Sequence, residues 1–467
     1  MDDASSLPCA ISQHSRAARP IMKSDLSKPW PRLTSRDEFA FLANLVFRHS
    51  AADHVLVSIE DRHSGTARFA NSQITQQVDV RTVAFVITVA FDQRHGTAST
   101  TDLTAGAVQA TLKRAEALAK AAPVDPEYLP PPGAQAYPSW PTFEADTAET
   151  GPSERLHLAH TCIARCEADS HQAAGMIATT IAQMGVAANS GLFAFEPRTE
   201  AQFSITASRD DASGWAAARH RAIHRLAVVE RTEEALATAK RMGIPRNLPA
   251  GRYQVVLAPP AVAGLLNWVI KMLDAKAYEK GISPFRGKLG QPIIDERLTL
   301  RNDPGHPDLL GVNFTREGLP VEEALWIDKG QLRQLAYDRF TAYRHGLKSL
   351  PTLDAPLLSG QDPVATTNEL VASITRGMWI SNFWYIRPVN LTDLTLTGMT
   401  RDGTFLIEDG QIVAPVRNFR FQESPLRAFN RLDAFTEPRE ATTSETGKLL
   451  VPAMTIRDFH FSSVSWF

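Results

Sequence analysis

A chain of 467 residues, 43% hydrophobic and 21% charged, has length for two or three domains and the composition of a soluble globular protein. Its 49 basic and 51 acidic residues leave a net charge of −2, so no global field draws it to nucleic acid or to an anionic membrane. Three cysteines, Cys9, Cys162 and Cys166, are too few for a disulfide framework and point to a reducing, cytoplasmic setting. No apolar run approaches the roughly 20 residues of a membrane-spanning helix.

Residues 1–30 carry Arg16, Arg19 and Lys23 without an apolar h-region, which predicts a disordered tail rather than a secretory signal, with Met1 or Met22 as the start. Ser35 and Glu38 fit a capping box ahead of an amphipathic helix marked by Phe39, Leu42, Leu45 and Val46. Three strand-like runs follow, His54–Ile59, Thr66–Val78 and Val80–Phe91, with Ser64-Gly65 among the expected links. Thr101 or Asp102 is placed to cap a helix ending near Ala121, so 31–122 is read as an N-terminal α/β domain.

Pro123 to Pro152 holds eight prolines and little periodicity, the mark of a linker or semi-extended crossing segment over 123–152. Region 153–245 returns to α/β patterning. It reads as a helix over Ser153–Asp169, strands near Gln172–Ala187 and Leu192–Ser208 joined at Asn189-Ser190-Gly191, and mainly helix over Trp215–Met242. From 246 to 467 short strands dominate, with hairpin chemistry at Asp328-Lys329-Gly330, Arg401-Asp402-Gly403 and Glu408-Asp409-Gly410. The chain is therefore read as α+β, with antiparallel sheets and helices first and a large β-rich C-terminal domain after them.

One stretch, Arg252–Pro284, organises that last domain. Tyr253–Leu257 is a short apolar strand, and Pro259-Pro260 stops it where missing N–H groups cost nothing at a helix start. Val262, Leu265, Leu266, Val269, Ile270 and Leu273 then recur at the spacing of a buried helix. Here the sequence resembles the TldD/PmbA family, whose members form peptidase complexes. The resemblance also runs through Thr66–Gln77, Gly287–Gly290, Arg316–Leu332 and Ile407–Val416.

In the family's catalytic branch the buried helix carries HExxxH, two histidines binding zinc and the glutamate acting on metal-bound water. Aligned without gaps, Asn267 stands for the first histidine, Trp268 for the glutamate and Met272 for the second histidine. Thr446, in Thr446-Gly447-Lys448, stands for a cysteine ligand. The resemblance thus implies the metal-free branch: no catalytic residue and no cofactor in this chain. Zinc is expected in an HExxxH-bearing TldD-like partner, in a heterodimer acting on small or unfolded polypeptides. A homodimer, a stand-alone hydrolase with non-standard ligands, and a non-enzymatic binding protein related to gyrase or toxin–antitoxin systems are the alternatives.

Other clusters have ordinary readings. His157, His160, Cys162, Cys166 and His171 include cysteines at i and i+4 that suit a metal, but small buried cysteines are normal core. Arg219, His220, Arg221, His224 and Arg225 form a basic stretch, read as a solvated helix face or partner contact. Arg286, Gly287 and Lys288 suit a peptide carboxylate or backbone, since glycine admits close approach, while a turn presenting the next strand accounts for the same residues.

Overall fold

The computed structural model describes residues 32–350, 353–443 and 447–465. The expected tail over 1–30, the alternative start at Met22, and Thr446 lie outside the described residues. The chain is α+β, with antiparallel pairing dominant and a strand-rich C-terminal half.

Ser35 caps α1 (Arg36–His49) as its spacing predicts: its hydroxyl accepts from the Glu38 N–H, and the Glu38 carboxylate accepts from the Ser35 N–H at 2.8 Å. Three antiparallel strands follow, β1 (His54–Ala70), β2 (Gln73–Phe91) and β3 (Arg94–Thr100). Ser64-Gly65 is not a link but the middle of β1. The guanidinium of the fully buried Arg155 lies over Gly65, where an added Cβ would sit 2.3 Å from it. The turn falls instead at Asn71-Ser72, both at positive φ, which suits a tight hairpin. The next helix is capped by Thr104, not Thr101 or Asp102, and runs as α2 (Ala105–Ala121).

After α3 (Ala145–Glu149) and α4 (Pro152–Ala168) come β4 (Gln172–Ala188) and β5 (Phe193–Arg209), turning at Asn189–Gly191 as expected. The helix expected over Trp215–Met242 splits. Its first part is β6 (Ala212–His220), and helix is confined to a short 3-10 turn at Ile223–Leu226 and to α5 (Val228–Arg241). The alanine-rich run reads as helix locally, but Gly214, Ala216, Ala218 and His220 are buried in alternation beneath α5. An added Cβ at Gly214 would meet the Ala235 carbonyl at 2.0 Å. Small residues here serve close helix–sheet packing rather than helix propensity.

These strands form one sheet in the order β3-β2-β1-β4-β5-β6, so regions 31–122 and 153–245 contribute to a single surface. The four longer helices cover one face, and alternate residues of β1, β4 and β5 leave the other face half-open. The proline-rich segment straps that face to the C-terminal half. Trp140 donates its backbone N–H to Asn313 at 2.6 Å and its indole N–H to the Val321 carbonyl, while Tyr137 bonds the Gly318 carbonyl.

The C-terminal half begins with β7 (Gly251–Leu257), α6 (Pro259–Lys271) and α7 (Ala275–Glu279). Strands β8 (Leu298–Asn302), β9 (Ala324–Asp328), β10 (Gln331–Leu332) and β11 (Pro356–Gly360) come next. They are followed by β12 (Arg376–Asn390), β13 (Thr395–Glu408), β14 (Gln411–Pro415), β15 (Phe419–Glu423) and β16 (Leu432–Phe435). The last are β17 (Arg439–Thr442), β18 (Lys448–Val451) and β19 (Met454–Val464). Arg401-Asp402-Gly403 is not a hairpin. It is a kink inside β13, with Asp402 and Gly403 at positive φ, whereas Lys329-Gly330 and Asp409-Gly410 do turn hairpins.

One sheet runs β10-β9-β8-β11-β18-β17. The other runs β12-β7-β19-β15-β13-β14 and closes on itself because β12 also pairs with β13. Phe383, Phe419, Phe421, Phe459 and Phe461 pack inside the closure, with Phe383 and Phe421 at 4.6 Å between centroids. Helix α6 crosses beside it against β12, β17 and β18.

A candidate site beside Asn267

The two prolines at the start of α6 have no N–H to satisfy there, and the Ala258 N–H ahead of them bonds Ile380 of β12 at 2.9 Å. Ala261, Val262, Leu265, Leu266 and Val269 are fully buried, so the helix is fixed as the spacing predicts. Gly264 brings it close to β12, where an added Cβ would sit 2.9 Å from Ile386. Past the prolines, what remains of the helix surface is the half-buried Asn267, Trp268 and Ile270 and the exposed Lys271.

Asn267 separates two cavities. The first, about 180 Å³, is lined by Asn267, Trp268, Lys271, Arg387 and Thr443 with Gly264, Phe383 and Ile386. The Lys271 ammonium lies 4.9 Å from the Trp268 ring centroid. The second, about 290 Å³, is lined by Asn267, Ile270, Gly447, Lys448 and Asp354, and by Glu200 and Arg219 from the N-terminal sheet. It adjoins a cleft of about 700 Å³ between the open face of that sheet and loop 310–317, the two sharing Glu200, Leu310 and Asp354. The cleft floor mixes Glu60, Arg62, Arg198 and Glu200 with Ala84, Val86, Ala182 and Met184.

Lys448 is the least ordinary group present. It opens β18, is 4% exposed, and its ammonium lies 3.6 Å from Glu440 with no hydrogen-bond partner. Burial pushes it down to about 8, against the pull of Glu440 and Asp308 and with a further push from Arg225. His220 is likewise lowered to about 4, first by burial and then by the Lys448 charge. In the sequence Lys448 is marked only by the Thr446-Gly447-Lys448 resemblance and Arg219 only by its basic stretch; Glu200 and Asp354 arrive from distant segments and give no local sign.

The other nominated residues divide. Met272 follows the last residue of α6 and packs against the main core, its carbonyl held by the Ser283 hydroxyl at 3.1 Å. Thr446 lies outside the described residues, but Thr443 and Gly447 on either side of it line one cavity each. Arg286, Gly287 and Lys288 are exposed on a turn with Gly287 at φ +70°. The Gly287 N–H donates to the Tyr278 hydroxyl, and the Lys288 N–H to the Phe285 carbonyl. The cavities beside Asn267 are built from other residues.

Cys162 and Cys166 lie on the buried face of α4, where burial pushes their thiols up to about 11 and about 12. His157 and His160 are exposed, away from them. The basic stretch is not one helical face. Arg219 pairs with Glu200 at 2.7 Å, the buried Arg221 donates to the Leu309 and Gly311 carbonyls, and Arg225 pairs with Asp308.

The donor chemistry beside Asn267 does not fit zinc. A carboxamide, an indole and a thioether replace the imidazole and carboxylate donors zinc prefers, and the smaller cavity presents Lys271 and Arg387, which repel a cation. Among the described residues no group of three or more His, Cys, Asp and Glu could hold a metal ion.

Comparison with known proteins places the chain. The PmbA/TldA metallopeptidase C-terminal domain matches residues 250–463, and domain 1 of the same metallopeptidases matches 55–119. A metalloprotease of Methanothermobacter thermautotrophicus is 24% identical over 199 residues, 40% of this chain and 43% of that protein. A TldD homolog described as a metalloprotease in Buchnera aphidicola is also 24% identical, over 39% of this chain and 40% of its own length. The matches thus span less than half of either relative.

In fold, TldE from Thermococcus kodakarensis superposes with a TM-score of 0.83 at 16% identity, covering 91% of this chain and all of that one. A Thermotoga maritima protein described as a modulator of a DNA gyrase gives 0.80 at 18% identity, covering 92% of this chain and 100% of its own. With one family match spanning the β7–α6 unit that carries Asn267 and another on the N-terminal sheet, the chain belongs to the TldD/PmbA family.

Proposed function

We propose that this chain is the metal-free, TldE-like subunit of a TldD/TldE-type cytoplasmic peptidase complex, with the zinc and its general base supplied by an HExxxH-bearing partner. The observation that carries the reading is the contrast within α6. Its core face is fully buried, while the positions of the zinc-binding pattern that face the cavities hold Asn267 and Trp268, with Ile270 and Lys271 beside them. Selection on the packing without selection on the metal is what a subunit needed for architecture would leave. The 700 Å³ cleft, floored by a sheet face of mixed polarity, suits an extended polypeptide more than a small rigid ligand. The near-neutral net charge gives a gyrase- or nucleic-acid-directed role no electrostatic support.

The test is assembly. The purified chain is mixed with the HExxxH-bearing TldD-like protein of the same organism and followed by size-exclusion chromatography and cleavage of an unfolded polypeptide. The reading expects a mixed complex whose cleavage exceeds that of either chain alone and is abolished by a chelator. A chain that neither associates nor changes cleavage contradicts it.

A further inference from the structure

On the outside of the closed sheet, β12 carries an aromatic stretch that the fold leaves uncovered. Its pairing with β7 ends at Ile380, and from there to Asn390 its only strand neighbour among the described residues is β13. The register with β13 slips between Trp384 and Arg387, and at that bulge Tyr385 takes φ +55°. A bulky residue at positive φ is costly and collects at functional surfaces. Strand alternation would send Trp384 and Tyr385 to opposite faces; the bulge leaves both in solvent, 38% and 50% exposed. Val389 and Leu391 are exposed further along the same stretch.

Two arginines cap this aromatic pair. The rings lie 5.7 Å apart, the Arg401 guanidinium covers Trp384 at 4.5 Å, and Arg387 covers Tyr385 at 4.3 Å. Exposed Arg420 stands level with them, since it pairs in register with Met399, which in turn opposes Trp384. The nearby acids are engaged: Asp402, 3.5 Å from Arg401, accepts from the Ser213 hydroxyl, and Asp393 pairs with Arg427 at 3.0 Å. A guanidinium stacked by its face on a ring still offers its edge donors to a carboxylate. The patch is therefore apolar, rigid and positively charged.

We propose that this face, Trp384 to Leu391 with Arg401 and Arg420 beside it, docks an acidic, apolar segment of the HExxxH-bearing partner subunit. Exposed Trp, Tyr and Arg together are the composition of interface anchors. Charge selects the occupant. A two-fold contact with a second copy would set these arginines against themselves, so the surface suits a different chain that brings carboxylates. Position supports the same choice, because Phe383, Ile386 and Arg387 of this strand also line the smaller cavity beside Asn267. A partner seated here reaches the rim of the degenerate site. That the partner is the zinc-bearing subunit rests on the peptidase-complex reading; its acidic, apolar character rests on the arginine-capped rings.

The test titrates the full chain with the HExxxH-bearing protein of the same organism, by calorimetry at low and high salt. Trp384→Ser with Tyr385→Ser is expected to weaken association about tenfold or more, the loss of an interface anchor. Arg387→Glu with Arg401→Glu is expected to weaken it at low salt and to remove most of its salt dependence. Phe41→Ser, which removes an exposed ring from α1, is expected to leave it unchanged. Association that both double variants leave intact overturns this surface and keeps the complex. A wild-type chain that does not associate overturns the complex reading and this proposal together. Self-association that depends on Trp384 makes the occupant a second copy, and binding of a single-stranded oligonucleotide in place of the partner makes it a nucleic acid; either overturns the proposal. Should the serine variant fail to fold, the exposed arginine pair decides alone.

Discussion

The cavity wall at Lys448 and the turn at Arg286–Lys288 offer the same chemistry in opposite settings. Both present a lysine beside a glycine, and from sequence the turn is the more inviting peptide contact. In the structure the turn is solvent-exposed, with its backbone amides bonded to Tyr278 and Phe285, so its charges are screened and its shape is complete. Lys448 instead has its side chain wholly buried and its ammonium paired with Glu440 at 3.6 Å, and burial pushes it down to about 8. A cation in water keeps its charge at little cost; a buried one holds it against desolvation. Environment, not residue type, separates the two.

The helix that supports the cavity gives the largest expected effect. Leu266 is fully buried, and Leu266→Ala should cost about 2–5 kcal/mol in urea unfolding. Lys276→Ala removes surface ion pairs to Asp338 and Glu127 and should cost about 1 kcal/mol or less. Similar small losses at both would show that α6 is not the rigid mount of the cavity.

Lys448→Met should act in the other direction. It removes a buried ammonium that burial pushes down to about 8 despite its 3.6 Å pair with Glu440, and a net gain in stability is expected at pH 7. The sign of the pH dependence follows from the depressed value. Between about 8, where native Lys448 loses its proton, and 10.5, its ordinary value, the unfolded chain holds more protons than the native one. Wild-type stability should therefore rise relative to the variant across that window, closing the gap. A variant less stable than wild type at pH 7 would mean that the Glu440 pair outweighs burial.

The smallest effect belongs to the turn. Arg286→Ala with Lys288→Ala should change stability by less than about 0.5 kcal/mol. A larger loss would show that the turn is packed rather than exposed.

How much of this was legible in the sequence depends on the range of the contacts involved. The Ser35 cap, the Asn189–Gly191 hairpin and the buried stripe of α6 are local patterns that appear where their spacing places them, save that Ile270 is half-buried at the cavity edge. Gly65 reads as a turn because the reason for it, Arg155, lies 90 residues away, and Ala212–His220 reads as helix because the close packing of α5 is a tertiary fact. The motif positions Asn267 and Trp268 were found from the α6 pattern and the family resemblance. The cavity that makes Asn267 matter was not, since Glu200, Arg219, Asp354 and Lys448 are joined only by folding.

The central claim is that this chain keeps the architecture of a metallopeptidase subunit without its metal chemistry. Metal analysis combined with peptide hydrolysis on the isolated full chain tests it most directly. The account predicts substoichiometric zinc after purification in zinc-supplemented medium and no hydrolysis that a chelator abolishes. One zinc per chain with chelator-sensitive turnover would contradict it and make the chain an enzyme with ligands other than Asn267, Trp268 and Met272.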